Sequence, residues 1–68
     1  MKRFPLTSKQ MVKLLHRNGF HKVVQHGIHL KMYSPFTKQT VIVPMHNNEL
    51  GKGLERSILK QAGLISQK

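Results

Sequence analysis

Between Gly27 and Pro35 the chain reads IHLKMYS, with apolar and polar residues in alternation. A period of two is the signature of a strand with one buried face. It puts Ile28, Leu30 and Met32 on the core side and His29, Lys31 and Tyr33 in one row on the other. The segment before it, FHKVVQ, is a second strand candidate with β-branched Val23 and Val24 at its centre. His26-Gly27 supplies the tight turn between them, because glycine accepts a positive φ. After the alternation, SPFTK reads as a turn in which Pro35 removes a ladder donor. QTVIV then forms a third strand, ended by Pro44, and its apolar run at 41–43 predicts cover on parts of both faces. The strands are expected near 20–25, 28–33 and 39–43.

Two helices flank this unit. In LTSKQMVKLLHRNGF, Thr7 and Gln10 make a capping box, and Leu6 can staple onto Met11. Met11, Leu14 and Leu15 form a helical stripe with Val12 at its edge. Gly19 ends this helix, and Phe20 folds back as the apolar residue that follows. In LERSILKQAGL, Leu54, Ile58 and Ala62 form a stripe with Leu59 beside it, Lys60 complements the helix dipole, and Gly63 marks the end. The helices are expected near 8–18 and 53–62, with HNNELGKG as a loop and 64–68 as a frayed tail of a single domain spanning 1–68. The order α-β-β-β-α is an α+β fold. It predicts a three-stranded antiparallel sheet with two helices on one face and the row His29, Lys31, Tyr33 on the open one.

Charge narrows the partners. Twelve Lys and Arg face two acids, Glu49 and Glu55, for a net charge of +10 in 68 residues. A surface so one-sided repels itself and calls for an anion: nucleic acid first, an acidic protein second, an anionic membrane third. The basic residues are spread along the chain rather than massed in a tail, which favours a folded basic surface. Cysteine is absent, so there is no disulfide framework and no thiolate metal site; a reducing, cytoplasmic setting is expected. No apolar run approaches the roughly 18 residues of a membrane helix, and MKRFPLTSKQ lacks the apolar core of a signal peptide.

Five histidines, His16, His21, His26, His29 and His46, carry the chemical options. His26-x-x-His29 is a possible metal pair, but thiolates and enough carboxylates to complete a zinc set are missing. RNA cleavage without metal or other cofactor needs less. RNA brings its own nucleophile, the 2′-hydroxyl, so an imidazole base and a few cations suffice. His29 is the candidate base. Lys22, Lys31 and Lys38 are candidate phosphate contacts near it, and Tyr33 is a candidate stacking or hydrogen-bonding group. From chemistry alone a single exposed histidine is more often an ordinary surface residue. Paired carboxylates, a nucleophile elbow and a phosphate-cradling glycine loop between strand and helix are all missing. The glycines of GKGLERS suit a simple helix entry as well as an anion at that helix's N-terminus.

NGF after the first helix, GIH opening the second strand, VPMH after the third and GLERSILKQAGL as the last helix occur in one order over nearly the whole chain. In these the chain resembles the HicA toxins, the mRNA-cleaving halves of bacterial toxin–antitoxin pairs. The resemblance implies a double-stranded-RNA-binding-like fold, mRNA as substrate and a HicB-like antitoxin as partner. It also implies one catalytic histidine in a Gly-Ser-His or Gly-Thr-His motif, which falls on His29, with the motif glycine on Gly27 at the RNA. The hydroxyl residue of that motif is Ile28 here, so a hydrogen bond near the site is lost. His46 also matches the family, as a loop residue or as a second acid at the site. Two rivals stand beside the nuclease reading. One is a non-catalytic RNA-binding domain, in which His29 is dispensable and the lysines are not. The other is a basic module that binds only an acidic protein.

Overall fold

A computed structural model describes residues 6–46 and 49–65. The order is α1 (Ser8–Arg17), β1 (His21–His26), β2 (His29–Ser34), β3 (Gln39–Pro44) and α2 (Lys52–Gln61). The strands form one antiparallel sheet in the order β1-β2-β3. No helix among the described residues is long and apolar enough to cross a membrane.

The helix ends follow the side chains that specify them. Thr7 Oγ1 accepts from the Gln10 N–H at 3.2 Å, and Gln10 Oε1 accepts from the Thr7 N–H at 3.0 Å, closing the capping box at the head of α1. At its tail, Phe20 N–H donates to Leu15 O and Gly19 N–H to His16 O, the two bonds of a Schellman motif. Gly19 has φ +92°, and a Cβ there would lie 3.0 Å from the Phe36 ring, so conformation and contact both require glycine. The same bond pattern, Leu64 N–H to Leu59 O and Gly63 N–H to Lys60 O, ends α2.

Both helices lie on one face of the sheet. Met11 and Leu15 from α1, Phe20, Leu30 and Met32 from β2, Val41 and Val43 from β3, and Ile58, Leu59 and Ala62 from α2 make the core. They pack toward β3, and β1 is exposed along its whole length. Leu64 and Ile65, placed by the sequence in the fraying tail, pack against this core; residues 66–68 lie outside the described set.

Three local expectations are corrected. Ile28 is not a core residue: it is 50% exposed. His26 pairs directly with His29, so Gly27 and Ile28 are the two loop residues of a tight hairpin. The alternation has the right parity at Ile28, but the strand has already ended there. Gly27 takes φ +60° at the first loop position and Ile28 a negative φ, as in a type II′ turn, whose twist matches that of the strands. The second correction concerns β3: Val41 and Val43 are buried, while Ile42 projects from the open face opposite Lys31. The third concerns α2, where Leu54 is exposed and Glu55 takes the buried position instead. Its carboxylate accepts the Leu6 N–H, which brings the first turn of α2 against the entry to α1.

A second polar contact holds α1 to the sheet. Ser8, 1% exposed, donates from Oγ to Pro44 O at 2.6 Å and accepts from the His46 N–H at 3.3 Å. Ser8→Ala leaves both backbone groups without this partner and is expected to cost about 1–3 kcal/mol. The readout is a lower urea midpoint at unchanged m; an unmoved midpoint refutes this role for Ser8. At Gly27 nothing lies within 4 Å of an added Cβ, so the cost of substitution is backbone strain alone. Gly27→Val should therefore lose about 1–2 kcal/mol and Gly27→Asn less, because asparagine tolerates positive φ. Equal melting temperatures for the two variants would contradict a strained turn.

Candidate active site

The open face of the sheet takes its chemistry from β2. Alternate burial sends Leu30, Met32 and Ser34 into the core and leaves His29, Lys31 and Tyr33 on the other side, with His29 and Lys31 fully open to solvent and Tyr33 half-buried. Lys31 stands two residues from His29, about 7 Å along the strand, and Tyr33 about 13 Å. Directly paired residues share a face, so the register completes the site. His26 lies opposite His29 and Val24 opposite Lys31 on β1; His21 is the partner of Tyr33 at the first position of the strand, but its ring turns away from this face to meet His16 of α1. On β3, Pro44 flanks His29, Ile42 flanks Lys31 and Thr40 flanks Tyr33.

The hairpin that carries the two histidines is braced from both sides. Gln25 Nε2 donates to Gly27 O at 2.9 Å. Ile28 O accepts from the Met45 N–H, which fixes the turn to the segment leaving β3. Residue 28 thus does its structural work through its backbone, while its side chain faces solvent.

The lysines expected around His29 divide. Lys31 is beside it. Lys22 is not: it pairs with Met32, which places it on the helix side of the sheet. Lys38 sits in the β2–β3 turn with φ +59°. That turn is at the far end of β2 from His29, beyond five residues or about 17 Å of strand. His46 is exposed in the segment after β3, with its backbone N–H on Ser8 Oγ.

The residue that sequence reading undervalued is His26. Its spacing to His29 suggests a metal pair from sequence. In a two-residue hairpin, however, positions i and i+3 are always direct cross-strand partners, with Cβ atoms about 4.5–5.5 Å apart. That places His26 and His29 at neighbouring positions of one exposed face, with the Lys31 cation next along the row. Such a set can take a proton, give a proton and hold an anion. Among the described residues no group of three or more His, Cys, Asp or Glu is arranged to hold a metal ion.

A family model described as "HicA toxin of bacterial toxin-antitoxin" matches residues 8–64, from the first residue of α1 to the end of the second Schellman motif. No curated protein matches the chain.

Proposed function

The chain belongs to the HicA toxin family, and on that premise we propose that it is a metal-independent endoribonuclease that cuts mRNA and so inhibits translation. Membership in a toxin–antitoxin family implies an antitoxin partner; in this reading it is HicB-like and covers the open face with His29. The observation that carries the nuclease reading is the direct pairing of His26 with His29 across the hairpin.

In the proposed reaction, His29 accepts the proton of a 2′-hydroxyl. That oxygen attacks the adjacent phosphorus, and the bond from phosphorus to the 5′-oxygen breaks. His26, entering protonated, gives its proton to the departing 5′-oxygen. The products are a 2′,3′-cyclic phosphate and a free 5′-hydroxyl, and no electron or further reactant is needed. Histidine suits both tasks because its ordinary pKa of about 6.5 lies near working pH. Lys31 stabilises the charge that grows on the phosphorane oxygens. Gly27 lets the RNA backbone approach the turn, where no side chain stands in the way. Tyr33 is too far along the strand to reach the same phosphate and stacks on a neighbouring base. Lys22 and Lys38, remote from His29, contact phosphates elsewhere on the strand.

The test is cleavage of an RNA oligonucleotide in excess EDTA, with analysis of the ends. RNA is expected to be cut, to yield a 2′,3′-cyclic end, and to resist when the scissile sugar is 2′-deoxy. His29→Ala and His26→Ala should each lose about 10²–10⁴ in rate. They should differ on a substrate whose leaving oxygen is replaced by sulfur, which departs without a proton. His26→Ala should cut it nearly as fast as the wild type, and His29→Ala should not. Wild-type protein that binds RNA without cutting it would favour the RNA-binding rival. Cutting that stops in EDTA would refute the metal-independent route.

A further inference from the structure

On the helix side of the sheet, between α1 and β1, a cleft of about 570 Å³ is lined by Lys13, His16 and Arg17 of α1 and by His21 and Lys22 of β1. Val12 forms its apolar floor, with the buried Met32 beneath. We propose that this cleft is a second RNA-binding site that takes one nucleotide, phosphate and base together, of the strand cut at His29. The proposal rests on the nuclease reading only in naming RNA as the ligand.

Three features support it. First, three permanent cations and no carboxylate line the cleft. The two acids of the chain are elsewhere, Glu49 in an exposed bridge to Thr7 and Glu55 buried against Leu6 N–H. Like charges gathered in one cleft repel each other, and an anion bound among them relieves that cost. Second, the His16 and His21 rings meet edge to face with centroids 5.7 Å apart, and Arg17 adds a planar guanidinium. Imidazole and guanidinium planes beside an apolar floor are surfaces on which a base stacks, which favours a nucleotide over an acidic peptide. The volume falls in the ordinary range for ligand clefts, about 300–1,000 Å³.

Third, the path between the two sites is open. Lys22 and His26 are four residues apart on β1, about 13 Å. They serve opposite faces of the sheet, and β1 is an edge strand exposed throughout. A single strand of RNA can pass over that edge within a few nucleotides. The bulge at Val23, where the pairing slips between Lys22 and Val24, bends the edge at the crossing.

The experiment is fluorescence anisotropy with a 2′-O-methyl RNA oligonucleotide, which lacks the nucleophile and cannot be cut, over a series of salt concentrations at pH 8. Arg17→Gln and Lys22→Gln should each weaken binding and lower the salt slope by about 0.7, the value for one lost single-strand phosphate contact. Lys9→Gln, an exposed α1 lysine outside the cleft, should leave the slope unchanged. His16→Ala should weaken binding several-fold with the slope intact, because its ring contributes stacking. The proposal is overturned if the Arg17→Gln, Lys22→Gln double variant binds with wild-type affinity and slope, or if Lys9→Gln matches its effect. It is also overturned if the double variant keeps RNA and loses only poly-glutamate, which would assign the cleft to an acidic protein. Because the probe cannot be cut, a wild type that fills the cleft but never cleaves ordinary RNA would sink the nuclease reading and leave this one standing.

Discussion

The hydroxyl of Ser8 holds together the part of the fold that positions the His26–His29 hairpin. It lies inside the protein at the first turn of α1 and bonds to two backbone groups at the exit of β3. One of them belongs to Pro44, the residue that pairs with His29. The next residue, Met45, donates to Ile28 in the hairpin turn. Helix, strand end and turn are therefore linked in one short chain of hydrogen bonds behind the two histidines. A buried hydroxyl with both of its roles satisfied gains from the low local dielectric, and the same dielectric penalises any loss of a partner. Leu50 N–H on Leu6 O and Glu55 on Leu6 N–H extend this clamp to α2, so both helices enter the core at the same end of the sheet.

That clamp, combined with a small core, explains why β1 is left bare. A chain of 68 residues buries only about 60% of its unfolded surface. Two helices of ten residues each, packed mainly toward β3, leave β1 exposed along its length, with α1 meeting it at His21 through His16. β1 is held by its pairing with β2 and by two turns, so Val23 and Val24 remain exposed. Isolated edge strands tend to recruit other strands, and a bulge together with flanking charge is a common defence. Here the bulge falls at Val23 beside Lys22. The bare strand gives the molecule two accessible polar surfaces joined by a single edge.

Element order, helix ends and sheet direction were legible in the sequence because each has a local cause. Thr7 with Gln10, Gly19 with Phe20, and Pro44 act within a few residues, and no distant contact overrides them. Misreadings arose where a second, non-local fact was needed. Ile28 has core parity, but the hairpin closes one residue later than the alternation begins. Leu54 has the apolar character for the α2 stripe, yet the Leu6 N–H needs a partner and Glu55 supplies it. Lys22 seemed to belong beside His29 until the bulge fixed the parity of β1 and turned it to the helix side. His26 was legible in principle, since a two-residue loop forces its neighbours to face each other. A turn centred on His26-Gly27 takes His26 out of the ladder; the loop at Gly27-Ile28 puts it back, opposite His29.

The departure at Ile28 has a physical consequence for how site and scaffold are divided. Residue 28 contributes a carbonyl to Met45 N–H and a negative φ to the turn, and any L-residue can supply both. Its side chain contributes nothing to the core, being half exposed. A serine or threonine here would place a hydroxyl next to the imidazole pair, and isoleucine offers only apolar surface instead. The fold is thus indifferent to this side chain, which bears only on the proposed chemistry. The groups of the proposed site that remain, His26, His29 and Lys31, are brought into register by β-pairing alone. Their placement relies on two adjacent strands and one glycine turn, the most local geometry that the chain contains.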